Sequence, residues 1–211
     1  CYCLRDQAYQ KYRLLAGIWR FDWRRFKAIF KLGTPIGAGM IAEIGMFSLA
    51  TFLMGLVSAD ALAGHAVAMQ ATAMIFMIPM GLSQAITVRV GLAMGQSRLA
   101  DARQAGSIGI VLSIGVAMTS AFCLIVFAPQ ITELFLDSDR ASDLVAIDLA
   151  VIYLTVAAFF QLVDGIQAVI AGALRGMKDT AAPMVIQMIS YWLVGGLSMI
   201  ALAFPFGFQG A

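Results

Sequence analysis

The sequence is poor in charge, histidine and cysteine. Of its 211 residues, 12% are charged and 61% are hydrophobic, and there are one histidine and three cysteines. A soluble domain of this length needs far more polar surface, so the composition predicts a protein whose solvent is lipid. The net charge of +2 and the lack of an interleaved basic patch argue against nucleic-acid binding.

The sequence also lacks the short motifs of membrane enzymes. It contains no HExxH zinc motif, no GxSxG elbow and no GxGD loop, and His65 by itself cannot build a metal site. The cysteines have no CxxC spacing, so we expect inert thiols without a disulfide framework. We therefore predict a protein that is not an enzyme and has no bound cofactor. The chain has no initiating methionine, and we expect it to be a segment of a longer protein.

Five long hydrophobic runs make up most of the sequence after residue 31. We place membrane spans near residues 32–57, 66–91, 106–128, 145–173 and 181–204. Each is long enough to cross a bilayer, which takes about 20 apolar residues. The predicted fold class is therefore all-α integral membrane, a polytopic helix bundle of about five transmembrane helices.

Residues 1–31 differ in composition from the rest of the chain. They hold eight of its 14 Lys and Arg residues. Within them Trp23, Phe26, Ile29 and Phe30 share one helical face. This pattern predicts a basic cytoplasmic connector with an amphipathic helix that lies on the membrane surface before the first span.

The distribution of basic residues predicts the orientation of the chain. If the spans alternate, all of the 14 Lys and Arg residues except Arg140 fall on one side of the membrane. Acidic residues, among them Asp137, Asp139 and Asp148, collect on the other side. Cytoplasmic loops are enriched in Lys and Arg, so we predict a plasma (inner) membrane protein whose N-terminal segment is cytoplasmic.

Two carboxylates, Glu43 and Asp164, lie inside the hydrophobic runs. A charge near mid-membrane costs about 2.5–3.5 kcal/mol, so such residues usually face a bundle interior or an aqueous path. Glu43 lies 12 residues after Lys31, and Asp164 lies 11 before Arg175. At about 1.5 Å per residue, both acids are roughly 16–18 Å from the same end of their helices. We therefore predict that they meet at one level and form an ion site.

Two buried acids at one level can serve transport in two ways. The carboxyl groups can exchange protons, or their oxygens can bind Na⁺ with help from Gln side chains and backbone carbonyls. Glu43 and Asp164 are our candidates for H⁺ or Na⁺ coupling, and for the metal ligands if the ion is Na⁺. Asp143, 21 residues before Asp164, is a candidate outer relay. The alternatives are a purely structural pair of acids and, more remotely, an intramembrane aspartyl enzyme.

Polar and aromatic residues surround Asp164. Gln161 and Gln167 lie three residues on either side of it, and Phe160 lies four before it. Residues at these spacings share a helical face. We expect Phe160, Gln161 and Gln167, together with Gln70 of the second run, to line a cavity or contact the substrate.

Several motifs occur in a specific order along the chain. A GxP entry precedes a mid-helix Glu, an AxH segment follows, then MIPxGLSxA with RVGxAxGQ, and finally QxxDG with GxLRGxxDT. This order resembles the multidrug and toxic compound extrusion (MATE) family, NorM-like branch. The resemblance covers nearly the whole chain and corresponds to the C-terminal half, from the linker before the seventh helix to the end of the eleventh.

The resemblance implies both a fold and an activity. It implies two six-helix lobes around a cavity that opens alternately to either side. Residues 32–211 then form most of one lobe of a twelve-helix transporter, without its final helix. It also implies secondary active antiport of cationic aromatic compounds against Na⁺ or H⁺. Under the resemblance, Glu43 is the seventh-helix acid and Asp164 the tenth-helix acid, and both match positions implicated in cation binding. The expected partners are small cationic drugs or dyes, the lipid bilayer and the N-lobe of the same polypeptide.

Two other functions remain open. A lipid-linked precursor flippase of similar fold would have basic residues lining its cavity to meet phosphate, whereas the predicted spans contain only Arg89, near an end. A noncatalytic membrane subunit would tolerate neutral replacements at both acids. We expect the isolated chain to be inactive in transport, because half a cavity cannot alternate access.

Overall fold

The chain forms a bundle of long helices. The computed structural model describes residues 21–136 and 144–199. In this part, five helices are long and apolar enough to cross a membrane, which confirms the predicted fold class, all-α integral membrane. In chain order the helices are α1 (Trp23–Val57), α2 (Ala59–Gly95), α3 (Leu99–Val126), the short α4 (Ala128–Glu133), α5 (Leu144–Gly176) and α6 (Ala181–Met199).

The first two helices begin earlier than the hydrophobic pattern predicts. The Asp22 carboxylate accepts hydrogen bonds from the backbone N–H groups of Arg24 (3.0 Å) and Arg25 (3.2 Å), so α1 starts at Trp23. Ser58 caps α2 in the same way, accepting from the Ala61 N–H at 3.0 Å. Residues 23–31 therefore continue directly into the first span, which differs from the separate surface helix predicted for residues 1–31. Residues 1–20 of that segment lie outside the described part.

The prolines have roles that hydrophobicity alone does not predict. Pro129 lies in the first turn of α4, a helix that the sequence analysis did not anticipate, where its missing N–H costs nothing. Pro79 lies inside α2, and its buried ring packs against Gly165 of α5. A Cβ on Gly165 would lie 3.3 Å from the Cγ of Pro79, so the glycine allows the two helices to approach at this point.

Helices α2 and α5 run in the same direction and pack closely against each other. The Ser83 hydroxyl donates to the Ala168 carbonyl at 2.6 Å, and the Thr87 hydroxyl lies 2.8 Å from the Gly172 carbonyl. Such interhelical hydrogen bonds and small contact residues are how membrane helices associate. Near the other end of the pair, Gly64 packs against the backbone of α5. The register between the two helices is therefore constant along their length.

One end of the bundle is basic. It contains the start of α1, the α2–α3 connection and the α5–α6 connection, and we call it the basic end. Gly91 and Gly176 bring the last turns of α2 and α5 together there. Because α1 starts at the basic end and α5 finishes at it, these two helices are antiparallel.

Helix α6 is not α-helical throughout. It is α-helical over Ala181–Met188 and π-helical over Ile189–Gly196. The π-helical segment lies beside α1, where a Cβ on Gly45 would meet the Trp192 ring at 3.0 Å. A Cβ on Gly195 would lie 2.8 Å from the Met46 methyl group. The π-helix is rare and occurs mostly as single-turn bulges inside α-helices, frequently at functional sites.

Candidate functional site

Glu43 and Asp164 lie at the same level of the bundle. Phe47 and Phe160 meet edge to face, with 5.8 Å between ring centroids and an interplanar angle of 88°. Phe47 is one turn beyond Glu43 on α1, and Phe160 is one turn before Asp164 on the antiparallel α5. Both aromatic residues therefore lie one turn farther from the basic end than the acids.

Asp164 is buried and is held by a tyrosine from α6. Asp164 is only 7% exposed. The Tyr191 hydroxyl donates to the Asp164 Oδ1 at 3.2 Å, and Gln167 Nε2 donates to the Tyr191 hydroxyl at the same distance. Tyr191 is itself buried in the π-helical segment. A chain of two hydrogen bonds therefore connects α5 to α6 at the acid.

Glu43 lines a cavity of about 110 Å³ that lies toward the basic end. The cavity is bounded by α1, α2, α5 and the start of α6. Its polar lining comprises Glu43, Ser83, Gln84, Arg175, Thr180 and Gln187. Gly39 leaves room for Gln187, because a Cβ at this position would lie 2.6 Å from the Gln187 Oε1. A cavity with polar lining therefore extends from the basic end to Glu43.

Arg175 is the basic residue of this cavity. It lies in the last turn of α5, half-buried, and its Nη2 donates to the Ser83 Oγ at 3.2 Å. Its Nε also donates to the Ala171 carbonyl at 3.3 Å. The guanidinium thus folds back along α5 into the bundle. Arg175 lies outside the predicted span 145–173, yet its side chain lines the same cavity as Glu43.

Neither acid has a basic partner at salt-bridge distance. In residues 21–136 and 144–199, the salt bridges are Arg25–Asp22 and Arg98–Asp101, both in exposed positions. The same ranges contain no cluster of three or more His, Cys, Asp and Glu residues that could hold a metal ion. A cation at Glu43 and Asp164 would therefore depend on these carboxylates together with neutral oxygen ligands.

The other predicted site residues have different surroundings. Gln161 is fully buried, and neither atom of its side-chain amide has a hydrogen-bond partner among the described residues. Gln167 contacts Tyr191, and Phe160 is 38% exposed. Gln70 is exposed on α2, away from the lining of the cavity beside Glu43. Asp143 lies outside the described residues.

Comparison with known proteins identifies the family. The model of the MatE family matches residues 35–200, which is most of the chain. The chain belongs to the MATE family. It is similar to the probable multidrug resistance protein NorM of Mesorhizobium japonicum, with 40% identity over 205 residues that cover 97% of this chain and 44% of that protein.

Other relatives of this MATE chain have the same name. The Rhizobium meliloti protein is 38% identical over 209 residues, covering 99% of this chain and 45% of the relative. The Pseudomonas aeruginosa protein is 40% identical over 217 residues, which cover 100% of this chain and 43% of that relative. The chain therefore spans less than half the length of the curated relatives it matches.

Sequence reasoning missed two site residues of this MATE chain. Tyr191 occurs in an apolar run, where it reads as one more hydrophobic residue. A buried tyrosine hydroxyl nevertheless usually needs a partner, and that requirement was the available signal. Arg175 was assigned to a connection because it precedes one. Its side chain turns back by one helical turn, which sequence position does not reveal.

Proposed function

We propose that this chain is the C-terminal lobe of a secondary active multidrug exporter, a transporter and not an enzyme. It antiports cationic aromatic compounds against Na⁺ or H⁺, and Glu43 and Asp164 bind the coupling ion. The relatives named probable multidrug resistance protein support the efflux activity. The positive-inside rule supports a cytoplasmic basic end, in the plasma (inner) membrane.

The observation that carries the proposal is the pair of facing intramembrane acids. Asp164 is buried and its hydrogen-bond partner is a neutral phenol. Glu43 is on the facing helix at the same level. An acid that is merely structural in a membrane usually pairs with a basic group, and neither acid is in a salt bridge in the described part of the chain. A mobile cation supplies the missing charge.

Gln161 supplies a further oxygen if the ion is Na⁺. It lies three residues before Asp164 on the same face of α5, and it is fully buried with an unpartnered amide. A buried amide without a partner costs free energy, and binding a cation through its oxygen offsets that cost. Hard cations prefer carboxylate, amide and carbonyl oxygens, which are the groups available at this level.

The cavity beside Glu43 is suited to an ion rather than to a drug. Pockets for drug-sized molecules have volumes of about 300–1,000 Å³, and this cavity measures about 110 Å³. It connects Glu43 with the basic end, so we assign it as the cytoplasmic exit for the coupling cation. The drug binds between the two lobes, where Phe160 provides an aromatic surface for a cationic ring system.

Antiport gains energy from the membrane potential only if net charge moves. One charge crossing 100 mV gains about 2.3 kcal/mol, which supports a roughly 40-fold concentration ratio. Exchange of one monovalent drug cation for one monovalent ion is electroneutral and gains nothing from voltage. A ratio of two monovalent ions per monovalent drug would move net charge and would use the potential.

A lipid-linked precursor flippase is the second candidate, and Arg175 favours it. A guanidinium in the cavity could meet a phosphate group. However, Arg175 already donates to the Ser83 hydroxyl and the Ala171 carbonyl, and it shares its cavity with Glu43. A carboxylate beside a phosphate site repels the ligand. The exporter is therefore the better supported of the two functions.

An efflux assay on the complete transporter tests the proposal. Cells that express it are loaded with ethidium, and efflux is followed while Na⁺ and pH gradients are imposed. We expect efflux driven by one of the two gradients. We expect Asp164→Asn to lower that efflux at least about tenfold, because the variant removes the charge that holds the ion.

Asp148→Asn is the matched control for this assay. It makes the same chemical change on the same helix, but at an exposed position near the start of α5. The control should retain wild-type efflux. Gradient-independent efflux by the wild type, or full coupling in Asp164→Asn, would contradict the proposal. Transport of a lipid-linked phosphate in place of ethidium would support the flippase.

A further inference from the structure

We propose that Tyr191 is a positioning residue that links occupancy of Asp164 by the coupling cation to the conformation of the π-helical segment of α6. The inference rests on the proposed function, because it requires a cation at Asp164. It assigns a role in coupling to α6, a helix that has no acid of its own in this site.

The hydrogen bonds fix the direction in which Tyr191 donates. A phenol has a single proton. The Tyr191 oxygen accepts from Gln167 Nε2 at 3.2 Å, which leaves its proton for the Asp164 Oδ1, also at 3.2 Å. Gln167 therefore orients the phenol, and the phenol in turn orients the carboxylate.

The strength of the Tyr191 hydrogen bond depends on whether a cation occupies Asp164. Hydrogen bonds to an ionised group are roughly twice as strong as neutral ones. A cation at the carboxylate compensates its charge and weakens it as an acceptor. Tyr191 is therefore held firmly when the site is free and loosely when the site is filled. By linkage, the hydrogen bond must weaken cation binding by the same factor.

The segment that contains Tyr191 contacts both helices that carry the acids. Tyr191 bonds to α5 at Asp164, and one residue later Trp192 packs against Gly45, two residues from Glu43 on α1. Its π-helical backbone, Ile189–Gly196, is a rare conformation that needs tertiary support. We infer that loosening of the Tyr191 hydrogen bond allows this segment to repack against α1.

A spin label next to Tyr191 tests the link. Ser190 is exposed in the described part of the chain, and Ser190→Cys provides the attachment site in a complete transporter whose native cysteines are replaced. The coupling cation identified by the efflux assay is titrated onto the reconstituted protein. We expect the label spectrum to change with cation in the otherwise wild-type background. In Tyr191→Phe the change should be lost.

Tyr191→Phe should also bind the cation more tightly. The variant keeps the ring and removes the competing hydrogen bond, so the half-saturating cation concentration should fall about fivefold to tenfold. Tyr153→Phe is the matched control, because the Tyr153 hydroxyl has no partner among the described residues. This control should keep both the wild-type affinity and the label response.

Gln167→Leu is a second variant, which keeps the test decisive if Tyr191→Phe does not fold. It removes the donor that orients the phenol, so it should tighten cation binding in the same direction but by less. Because Gln167 acts through Tyr191, the substitution should have no further effect in the Tyr191→Phe background.

The outcomes separate the inference from the proposed function. If wild-type efflux depends on the cation but the Tyr191→Phe protein keeps wild-type affinity and label response, the inference is overturned and the exporter stands. The inference is also overturned if wild-type efflux depends on the cation but the label spectrum does not change when the cation is added. If wild-type efflux depends on neither Na⁺ nor H⁺, the proposed function fails and the inference fails with it.

Discussion

Phe47 and Phe160 meet edge to face, 5.8 Å between ring centroids, one helical turn beyond Glu43 and Asp164. This contact joins α1 and α5 on the side away from the basic end. On the opposite side, a polar cavity extends from Glu43 toward the basic end. The acids therefore lie between an aromatic contact and a polar opening, which gives the proposed ion path a direction.

The two acids should act as one unit. We expect Glu43→Gln and Asp164→Asn each to lower cation-driven ethidium efflux at least about tenfold. If both carboxylates hold the same ion, the double variant should be no worse than the more severe single variant. Glu133→Gln, at an exposed position of α4, is the control and should transport normally. Fully multiplicative losses would mean that the acids serve separate sites.

Removal of the Arg175 charge should strengthen cation binding. A fixed positive charge in the cavity of Glu43 repels the ion, so Arg175→Gln should lower the half-saturating cation concentration roughly threefold to tenfold. Release toward the basic end should slow, and the maximal efflux rate should fall. Arg175→Lys keeps the charge and should keep the affinity. Arg89→Gln is an exposed control. Unchanged affinity in Arg175→Gln would show that the guanidinium does not act on the ion.

Phe160 should matter for the drug rather than for the ion. A cation over an aromatic ring gains about 0.5–2 kcal/mol, so Phe160→Leu should raise the KM for ethidium by a factor of roughly 2 to 30. Its half-saturating cation concentration should not change. The neighbouring Phe159→Leu is the matched control, because Phe159 is 63% exposed and the ring that contacts Phe47 is that of Phe160. Equal effects at both positions would indicate a general loss of packing.

Gly172 should be required for the packing of α2 against α5. A Cβ at this position would lie 2.6 Å from the Ser83 carbonyl oxygen, which is backbone and cannot move aside. Gly172→Ala should destabilise the protein by about 1–3 kcal/mol, measured as a lower Tm in detergent. Gly115→Ala on α3 has nothing within 4 Å of its new methyl group. That control should be neutral or stabilising by up to about 1 kcal/mol. A stable Gly172→Ala protein would contradict the close approach.

Hydrophobic length predicts the fold well because each span must satisfy its backbone in lipid. All five predicted spans occur as helices, although α1, α2 and α3 begin earlier, the first two at polar caps that hydrophobicity does not detect. Counting residues from the charged ends also predicts the common level of Glu43 and Asp164, since a helix rises by a constant amount per residue.

The polar partners of the acids could not be predicted in the same way. Tyr191 lies 27 residues after Asp164 in the chain, on a different helix, and its hydroxyl bonds to the Asp164 carboxylate. The direction of the Tyr191 side chain depends on a π-helical backbone that has no sequence signature. Arg175 folds back toward Ser83, which requires knowledge of the α2–α5 register. Contacts between helices depend on rotation about each helix axis, and a single hydrophobic pattern does not determine that rotation.

Ion release on drug binding is the measurement that tests the central claim most directly. The complete transporter is purified and equilibrated with ²²Na⁺, or held in weak buffer with a pH indicator, and ethidium is then added. We predict that ethidium displaces bound Na⁺ or releases protons from the wild type and releases neither from Asp164→Asn. Ethidium binding to the wild type without release of either ion would contradict exchange at Glu43 and Asp164.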